Sequence, residues 1–397
     1  MKRIAILGSS GLHKRFGDHH VLQGIDFDVQ PGDRVAILGS SGSIGQTTLT
    51  AIRTHALPLS VVSLTSHTSV DRLIADGREF SAEALCSTGT PYEGLYHGFE
   101  GLVAMLDEHP VDIVLNAISG FAGLRASLAV LERGIDLALA NKESVICGGA
   151  LLFETACRHN CRIIPVDSEH SALASLLKGH KKEHVRSLIL TASGGPFRTL
   201  ESARFAHLKA ADALAHPTWQ MGKKITIDSA TLANKALEVI EASYLFGFSG
   251  DEIEVVVHPQ SIVHSMIRTT DGAVYAQLSK PDMSLAIIGA LLDGPEDIVD
   301  RLDFDALSLS FERPDLDRFP LLGLAFEILR RGDLSTIAFN AADEVAVAAF
   351  LEGTIPYPVM IDVVRRTVDH EWEGTITSYQ QIVEVDTRAR HLAQSLL

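Results

Sequence analysis

VAILGSSGSIGQTTL occupies residues 35–49 and joins an apolar run, a glycine-rich loop and a helix-like stretch. Gly39, Gly42 and Gly45 give the loop the spacing GxxGxxG. Glycine allows the tight turn and the close backbone approach that a pyrophosphate requires, and the free amides at a helix start point toward such an anion. The stretch therefore predicts a dinucleotide phosphate loop inside a strand-loop-helix unit, with a purely structural turn as the alternative.

The first half of this stretch occurs twice, because IAILGSSG also stands at residues 4–11. The first copy is followed by LHKRFGDHH, which is a poor start for a packed helix, whereas QTTLTAIRTHA follows Gly45. We predict that Val35 to Leu38 form the first strand of a nucleotide-binding sheet and that residues 1–34 are an extension or insertion. In the alternative, residues 2–8 form that strand and a long inserted loop follows.

The composition limits the classes of function. The chain has 397 residues, of which 46% are hydrophobic and 21% charged, and a formal net charge of -16. This charge disfavours nucleic acid and anionic membranes, so a small anionic ligand must be held by local cations. We expect a cytoplasmic protein without a signal sequence or membrane span. Cys86, Cys147, Cys157 and Cys161 lack a paired CxxC spacing and are expected to be reduced thiols.

The order of apolar runs predicts the fold class. Between residues 35 and 166, short apolar runs alternate with helix-like stretches, which is typical of a Rossmann-like, doubly wound parallel sheet. Strand-like runs with one strong helix near 230–246 follow, and then four amphipathic stretches that predict a C-terminal helical bundle. The predicted divisions are an extension over 1–34, a nucleotide-binding domain over 35–166, an α+β catalytic domain over 167–293, a linker over 294–315 and a helical domain over 316–397.

Two motifs carry acidic residues. In PVDSEH, residues 165–170, an extended backbone would point the carboxylates of Asp167 and Glu169 to one side, where they could hold Mg²⁺ or Mn²⁺. A solvated strand end is the alternative. On the helix predicted from about residue 230, Asn234, Lys235 and Glu238 share one side, although a Lys and a Glu one turn apart are usually a surface pair.

Three further segments contain candidate site residues. TASGGPF, residues 191–197, presents Ser193 after a strand. HPTWQMGKK, residues 216–224, contains His216 and Trp219, and a tryptophan in such a loop is either a core residue or part of a lid. His264, in HPQSIVHSM, is of a kind that is more often a hydrogen-bonded strand histidine than a ligand.

The segment 12–43, LHKRFGDHHVLQGIDFDVQPGDRVAILGSSGS, resembles the opening of an ABC-type ATPase, in which an aromatic such as Phe16 would stack on adenine. A Walker A loop ends in GK[ST], with the lysine on the β- and γ-phosphates. The matching positions are Ile44, Gly45, Gln46 and Thr47, so the lysine is missing. A P-loop ATPase is therefore not expected.

Taken together, eight motifs resemble those of 1-deoxy-D-xylulose 5-phosphate reductoisomerases, in the same order and from about residue 35 to the C-terminus. They are GSSGSIGQTTL, LANKESV, PVDSEHSAL, LTASGGPF, HPTWQMG, DSATLANKALEVIEA, HPQSIVHSM and FNAADEVAVAAFL. The resemblance implies an NADPH-dependent and Mn²⁺- or Mg²⁺-dependent homodimeric enzyme of non-mevalonate isoprenoid biosynthesis. Such an enzyme rearranges a phosphorylated sugar, 1-deoxy-D-xylulose 5-phosphate, and reduces it to 2-C-methyl-D-erythritol 4-phosphate.

The resemblance also implies roles for individual residues. The implied metal ligands are Asp167, Glu169 and Glu238. The implied catalytic residues are Lys142, Ser168, His216, Lys235 and His264. The implied substrate-binding residues are Ser168, Glu169, Ser193, His216, Trp219, Ser229, Asn234, Lys235 and Glu238. The implied NADPH-binding residues are Gly39, Ser40, Ser41, Gly42, Ser43, Ile44, Gly45, His67, Thr68, Ser69, Asn141, Glu143, Met221 and Gly222.

The chain departs from the family pattern at two places. Family members begin directly with the strand and the glycine loop, so residues 9–39 look like an insertion. After the second strand, the family usually carries a basic residue for the 2′-phosphate of NADP, but this chain has His67, Thr68 and Ser69. No Asp or Glu stands there to bind an NAD ribose, so NADP remains the expected cofactor. A folded but inactive variant with impaired NADPH binding is the alternative.

Overall fold

The structure is a computed structural model that describes residues 33–214, 221–292 and 300–397, together with four short strands within the first 32 residues. These strands are β1 (Leu7–Ser9), β2 (Lys14–Phe16), β3 (His19–Leu22) and β4 (Phe27–Val29). β1 pairs antiparallel with β4, and β2 pairs antiparallel with β3. Neither pair is hydrogen-bonded into the two larger sheets.

The first large sheet has seven strands, all parallel, in the order β11-β10-β9-β5-β6-β7-β8. Helical crossovers connect most of its strands, which confirms the predicted Rossmann-like, doubly wound class. In chain order its elements are β5 (Asp33–Leu38), α1 (Ser43–Thr54), β6 (Leu59–Ser66), α2 (Val70–Glu79), β7 (Ala84–Ser87), β8 (Tyr96–His97), α3 (Gly98–Glu108), β9 (Ile113–Asn116), α4 (Ala122–Leu131), β10 (Asp136–Leu139), α5 (Lys142–Arg158) and β11 (Ile163–Pro165).

The second copy of the glycine-loop sequence supplies the central strand of this sheet. β5 lies between β9 and β6, and Val35 to Leu38 are completely buried. A strand buried on both faces requires a continuous apolar run, which VAIL provides. The prediction that Val35 to Leu38 enter the sheet is confirmed. β7, β8 and α3 were not predicted; the two strands, of four and two residues, are too short to show a periodic pattern.

The second large sheet has four strands in the order β13-β12-β14-β15 and is mixed, with β12 parallel to β13 and antiparallel to β14. This agrees with the predicted α+β character. The elements of this region are α6 (Ser168–Lys178), β12 (Val185–Ala192), α7 (Ala210–Ala213), α8 (Lys223–Thr231), α9 (Ala233–Phe246), β13 (Ile253–Val257), β14 (Val263–Thr269), β15 (Val274–Leu278) and α10 (Ser284–Leu292).

The single helix predicted near residues 230–246 is wrong in its start, because two helices meet at Leu232. Leu232 adopts the left-handed conformation with φ of 58° and ends α8 while beginning α9. The hydroxyl of Thr231 accepts a hydrogen bond from the backbone N–H of Ala233 at 3.1 Å. Such a side-chain bond competes with the helical ladder, which explains the break.

Four helices close the chain, as predicted: α11 (Pro320–Arg331), α12 (Asp333–Leu351), α13 (Tyr357–Val368) and α14 (Tyr379–Ser395). Residues of α11, α12 and α13 belong to the core beside the second sheet. Other residues of α12, with residues of α14, pack into the core on one face of the first sheet. Leu334–Leu351 is long and apolar enough to cross a membrane, but 78% of it is buried inside the fold, as in the core helix of a globular protein.

Candidate active site

A cavity of about 210 Å³ lies where the start of α1, the start of α5, the start of α6 and the α8-α9 pair converge. Strands of open α/β sheets place ligands at their carboxyl ends, and this cavity has that position. Most of the predicted catalytic, metal and substrate residues line it. Those brought together there are Ser43, Ile44, Lys142, Asp167, Ser168, Glu169, Ser193, Met221, Gly222, Ser229, Asn234, Lys235, Glu238 and His264.

The other predicted residues divide into two groups. His216 and Trp219 lie outside the described residues. The rest do not line this cavity; they are Gly39, Ser40, Ser41, Gly42, Gly45, His67, Thr68, Ser69, Asn141 and Glu143. The lining also contains residues that sequence reasoning missed, and only their closeness to the motifs signalled them. These are Thr47, Ala140, Val166, Thr191, Ala192, Gly194, Ile225, Leu232, Ser261, Val263 and Met283.

Three carboxylates form the centre of the site. Ligand oxygens of Asp167, Glu169 and Glu238 lie within 4.8 Å of one another. The expectation that Asp167 and Glu169 stand on extended backbone is wrong, because β11 ends at Pro165 and α6 begins at Ser168. Asp167 instead caps α6, and its Oδ1 accepts the N–H of Glu169 at 3.1 Å. The two carboxylates converge because an N-cap side chain folds back over the first turn of its helix.

Two lysines hold these carboxylates together. Lys142 Nζ, at the start of α5, donates to Asp167 Oδ2 at 3.0 Å and to Glu238 Oε1 at 3.3 Å. It also donates to Asn234 Oδ1 at 2.7 Å. Lys235 Nζ donates to Glu169 Oε1 at 2.7 Å and to Glu238 Oε2. The predicted pairing of Lys235 with Glu238 is therefore a buried contact rather than a solvated surface pair.

Burial and neighbouring charges set the pKa values in this cluster. Burial by itself would raise the pKa of Asp167, but the ammonium of Lys142 and the hydrogen bond from His170 outweigh it and hold that pKa well below the usual range. Burial likewise opposes the charged form of Lys142, yet Asp167 and Glu238 raise its pKa well above the ordinary value. The pKa of Glu238 is raised, first by burial and then by Glu169. The cluster is thus a concentrated anionic site balanced by two cations.

Two histidines flank the cluster. His170 is fully buried on α6, and its Nδ1 lies 3.2 Å from Asp167 Oδ1 while its Nε2 lies 3.0 Å from the backbone oxygen of Glu238. His264 lines the cavity from β14, and its Nε2 lies 2.9 Å from the hydroxyl oxygen of Ser279. Burial lowers the pKa of His264, which favours a neutral ring. His264 is therefore both hydrogen-bonded in the fold and exposed to the cavity.

The glycine loop has the geometry of a phosphate loop. Gly39 turns the chain with φ of 79°, and a Cβ at this position would lie 2.7 Å from the backbone oxygen of Ala117. A Cβ on Gly45 would lie 2.5 Å from the backbone oxygen of Gly39. These positions require glycine for a left-handed turn and for close packing respectively. The loop leads into the start of α1, where Ser43 and Ile44 line the cavity, and the first amides of a helix have no partner within the helix.

Hydroxyl groups occupy the end of β6 beside this loop. The hydroxyls of Ser41 and Ser66 are 2.7 Å apart, and the N–H of Ser69 donates to Ser66 Oγ at 3.2 Å. His67 Nδ1 lies 3.1 Å from Thr88 Oγ1. On the other side of the loop, Gln46 donates to the backbone oxygen of Ser40 at 2.9 Å and is itself bonded to Arg72. A guanidinium group therefore lies close to the loop even though residues 66–69 carry no Lys or Arg.

Comparison with known proteins identifies the family of this chain. Three family sequence profiles match it: 1-deoxy-D-xylulose 5-phosphate reductoisomerase over residues 35–149, and two C-terminal domains of the same enzyme over residues 163–246 and 278–392. The reductoisomerase of Treponema denticola is 42% identical over 365 residues, covering 91% of this chain and 96% of that protein. That of Treponema pallidum is 43% identical, covering 92% of this chain and 97% of that protein.

Solved structures agree with these sequence matches. The reductoisomerase of Zymomonas mobilis in complex with NADPH has a TM-score of 0.83 and 36% identity, covering 92% of this chain and 99% of that one. A DOX-P reductoisomerase in complex with NADPH, fosmidomycin and magnesium has a TM-score of 0.85 and 35% identity, covering 92% of this chain and 98% of that one. The fold, the grouping of the predicted residues and these matches lead to one conclusion: the chain belongs to the 1-deoxy-D-xylulose 5-phosphate reductoisomerase family.

Proposed function

We propose that this chain converts 1-deoxy-D-xylulose 5-phosphate to 2-C-methyl-D-erythritol 4-phosphate, with NADPH and Mn²⁺ or Mg²⁺, in non-mevalonate isoprenoid biosynthesis. The observation that carries this proposal is the single cavity in which the start of α1, three carboxylates and several hydroxyl side chains meet. With its pyrophosphate on the glycine loop, NADPH would place its nicotinamide ring in the cavity beside Ser43 and Ile44. A sugar phosphate bound at the opposite wall would then lie next to it.

The carboxylate cluster fits a hard divalent cation. Oxygen ligands from carboxylates suit Mg²⁺ and Mn²⁺, and Asp167, Glu169 and Glu238 offer three of them within 4.8 Å. A bound cation supplies Lewis-acid stabilisation of the negative charge that develops on substrate oxygens during rearrangement. Lys142 and Lys235 orient the three carboxylates through the contacts described above. Ser168 donates its hydroxyl hydrogen to Glu169 Oε2 and holds that ligand from the other side.

The remaining lining residues suit a phosphorylated substrate. Ser193, Ser229 and Asn234 bring hydroxyl and amide groups to one wall, and Lys235 adds a positive charge. We assign the substrate phosphate to this wall, since a phosphate is best held by several donors with a cation beside them. His264 faces the same space from β14 and contacts the substrate. His216 and Trp219 are assigned to a lid over the site on the motif resemblance alone.

The nucleotide half uses the second copy of the repeated loop. β5 and α1 place Gly39 to Gly45 at the carboxyl end of the seven-stranded sheet, where a pyrophosphate is bound in folds of this class. Ser40 and Ser41, with His67, Thr68 and Ser69, are assigned to the adenosine side. Asn141 and Glu143 border the nicotinamide side, together with Met221 and Gly222. The intact strand and loop argue against the alternative of a folded but inactive chain.

The test is an assay of NADPH oxidation in the presence of 1-deoxy-D-xylulose 5-phosphate, monitored by the absorbance of the reduced nicotinamide. Metal-dependent turnover that EDTA abolishes and added Mn²⁺ restores is expected. Glu238→Gln should lower kcat/KM by roughly 100-fold or more, because it removes one charged metal ligand. Glu254→Gln is the matched control, since Glu254 pairs with Arg268 on the second sheet, does not line the cavity and should leave kcat/KM unchanged. Absence of turnover in the folded wild-type chain would refute the activity.

The proposal extends to assembly, compartment and domain division. We assign the chain as a homodimer in which a second copy covers β15, because β15 is an edge strand on which Val274 and Tyr275 are each 45% exposed. Val274→Lys with Tyr275→Lys should then give a monomer in sedimentation.

The cytoplasm is the proposed compartment, and all four cysteines are free thiols. For the domain division we propose the boundaries predicted from the sequence, except that the nucleotide-binding domain begins at Asp33, where β5 begins.

A further inference from the structure

A second group of charges lies outside the lining of the cavity, and in it the carboxylates are buried while the lysine side chain is 28% exposed. Lys224 Nζ is 2.7 Å from Asp228 Oδ2, 2.6 Å from Asp343 Oδ2 and 3.9 Å from Glu143 Oε1. We call these four residues the Lys224 cluster. It joins the first two turns of α8 to α12 and to the start of α5. None of its members lines the cavity, so it is separate from the carboxylates around Lys142 and Lys235.

The neighbours of this cluster along the chain do line the cavity. Met221, Gly222 and Ile225 stand on either side of Lys224, and Ser229 directly follows Asp228. On α5, Glu143 directly follows Lys142. The Lys224 cluster therefore ties two walls of the cavity to α12, a helix that contributes no residue to the lining.

The ion pairs that connect α8 to α12 and α5 depend on the charge of Lys224. Asp228 and Asp343 are each 1% exposed, and Asp228 Oδ1 has no hydrogen-bond partner. The two carboxyl groups are thus held mainly by one ammonium. Burial opposes the charge on Lys224, but Asp228 and Asp343 raise its pKa well above the ordinary value. Burial, and then the charge of Asp343, raise the pKa of Asp228. Without the Lys224 ammonium, the two negatively charged carboxylates would repel each other.

We propose that Lys224 is a positioning residue whose ammonium fixes the start of α8 against α12 and α5, and thereby sets the place of Met221, Gly222 and Ile225 in the cavity. This inference rests on the proposed function, because its test measures the Kd of NADPH and the KM of the sugar phosphate. Asp343 is the anchor on α12. Geometry of this kind matters for rate, since a displacement of about 1 Å can lower activity roughly 100-fold.

A matched control separates positioning from stability. Arg390 Nε is 2.7 Å from Asp386 Oδ2, and its Nη2 is 2.6 Å from Glu344 Oε2. This group resembles the Lys224 cluster, because a cation with two carboxylates ties α12, here to α14. Glu344 directly follows Asp343, so the two groups contact α12 at positions about 100° apart around the helix, and no member of the Arg390 group lines the active-site cavity. Arg390→Met therefore removes a comparable ion group without touching the segment that positions the cavity wall.

The experiment compares Lys224→Met, Lys224→Arg and Arg390→Met in the full chain. We expect both Met variants to lower Tm. Only Lys224→Met should raise the Kd of NADPH and the KM of the sugar phosphate, each by about 10-fold. Arg390→Met should leave both within twofold of wild type. Lys224→Arg keeps the charge and should recover most of the affinity, which a loss caused by general destabilisation would not show.

Hydrogen exchange supplies a readout that does not depend on activity. Lys224→Met should speed exchange of the α8 amides relative to those of α14, and Arg390→Met should not. Equal loss of Tm in the two Met variants, with unchanged Kd, KM and α8 exchange, would overturn the proposal. If Lys224→Met fails to fold, Asp343→Asn replaces it, with the same directions expected. A wild-type chain that binds no NADPH would instead refute the proposed function, while α8 exchange would still decide the role of Lys224.

Discussion

Residues 3–11 and 34–42 have the sequences RIAILGSSG and RVAILGSSG, which differ only in Ile4 and Val35, and yet they occupy different places. In the first copy, Leu7 to Ser9 pair antiparallel with Phe27 to Val29 in a two-stranded sheet. In the second copy, the strand ends at Leu38 in the centre of the seven-stranded parallel sheet. Two nearly identical sequences therefore adopt different strand pairings, and this difference must come from the residues around each copy.

The difference is explained by the residues that follow. The second copy runs directly into α1, which returns over the sheet as a crossover helix must. If the first copy entered the sheet, residues 12–42 would have to close as a loop before α1, at an entropic cost of about 3 kcal/mol for a chain of that length. The shared residues fit the central position equally well. Connection to the next helix, rather than the local sequence, decides which copy is used.

The largest expected effect is that of a charge placed in the central strand. Ala36 is completely buried in β5, so Ala36→Asp should lower the free energy of unfolding by about 4 kcal/mol or more and prevent folding. Ala5→Asp makes the same change in the first copy and should leave Tm and kcat/KM unchanged. A folded Ala36→Asp chain that unfolds only when Ala5→Asp is added would show that the first copy can replace β5.

A substitution in the loop should have the next largest effect. Gly39→Ala places a Cβ 2.7 Å from the Ala117 backbone oxygen at a φ of 79°. We expect a loss of about 2–3 kcal/mol in the free energy of unfolding and weaker NADPH binding, since the loop must shift. Gly8→Ala, at the equivalent position of the first copy, is the control and should change neither quantity. Denaturant unfolding and fluorescence titration with NADPH measure the two effects, and equal losses in both variants would contradict the assignment.

A smaller effect is expected at the arginine before each strand. The Arg34 guanidinium forms a bidentate salt bridge with the Glu83 carboxylate and also donates a hydrogen bond to the backbone oxygen of Pro110 at 2.7 Å. The Arg34 side chain is 33% exposed, so Arg34→Gln should lower Tm by no more than about 3 °C. Arg3→Gln should leave Tm unchanged. A larger drop for Arg3→Gln than for Arg34→Gln would place the first copy, and not the second, in the sheet.

Deletion of residues 3–33 should have the smallest effect. It leaves a single copy preceded by Met1 and Lys2, and all seven strands of the first sheet remain, apart from Asp33 at the start of β5. We expect kcat/KM and the Kd of NADPH within about twofold of the full chain, because the loop and α1 are retained. A loss of NADPH affinity after this deletion would mean that the extension contributes to the nucleotide site.

The predictive value of the sequence varied with the range of the interaction. The alternation of apolar runs and helix-like stretches over residues 35–166 predicted the parallel sheet correctly, and the glycine spacing predicted the loop, because these features depend on neighbouring residues. The break at Leu232 and the short strands β7 and β8 were missed, since side-chain bonding and strand pairing decide them. The acidic motifs indicated a metal site on residue type alone, and the approach of Lys142 to Asp167 and Glu238 was not predicted, because it joins residues that are distant in the chain.

Local sequence was sufficient for the alternation of the longer strands and helices of the first sheet, for the need for glycine at the turn after β5 and for the types of ligand atom available to a cation. The choice between the two copies was predictable from the residues that follow each of them, whereas the helix cap formed by Asp167 became evident only in the folded chain. The tertiary structure also brought Glu238 on α9 to Asp167 and Glu169 on α6, and Lys224 to Asp343 on α12. These contacts join residues that are distant in the chain, and they form only when sheets and helices bury their apolar faces against one another.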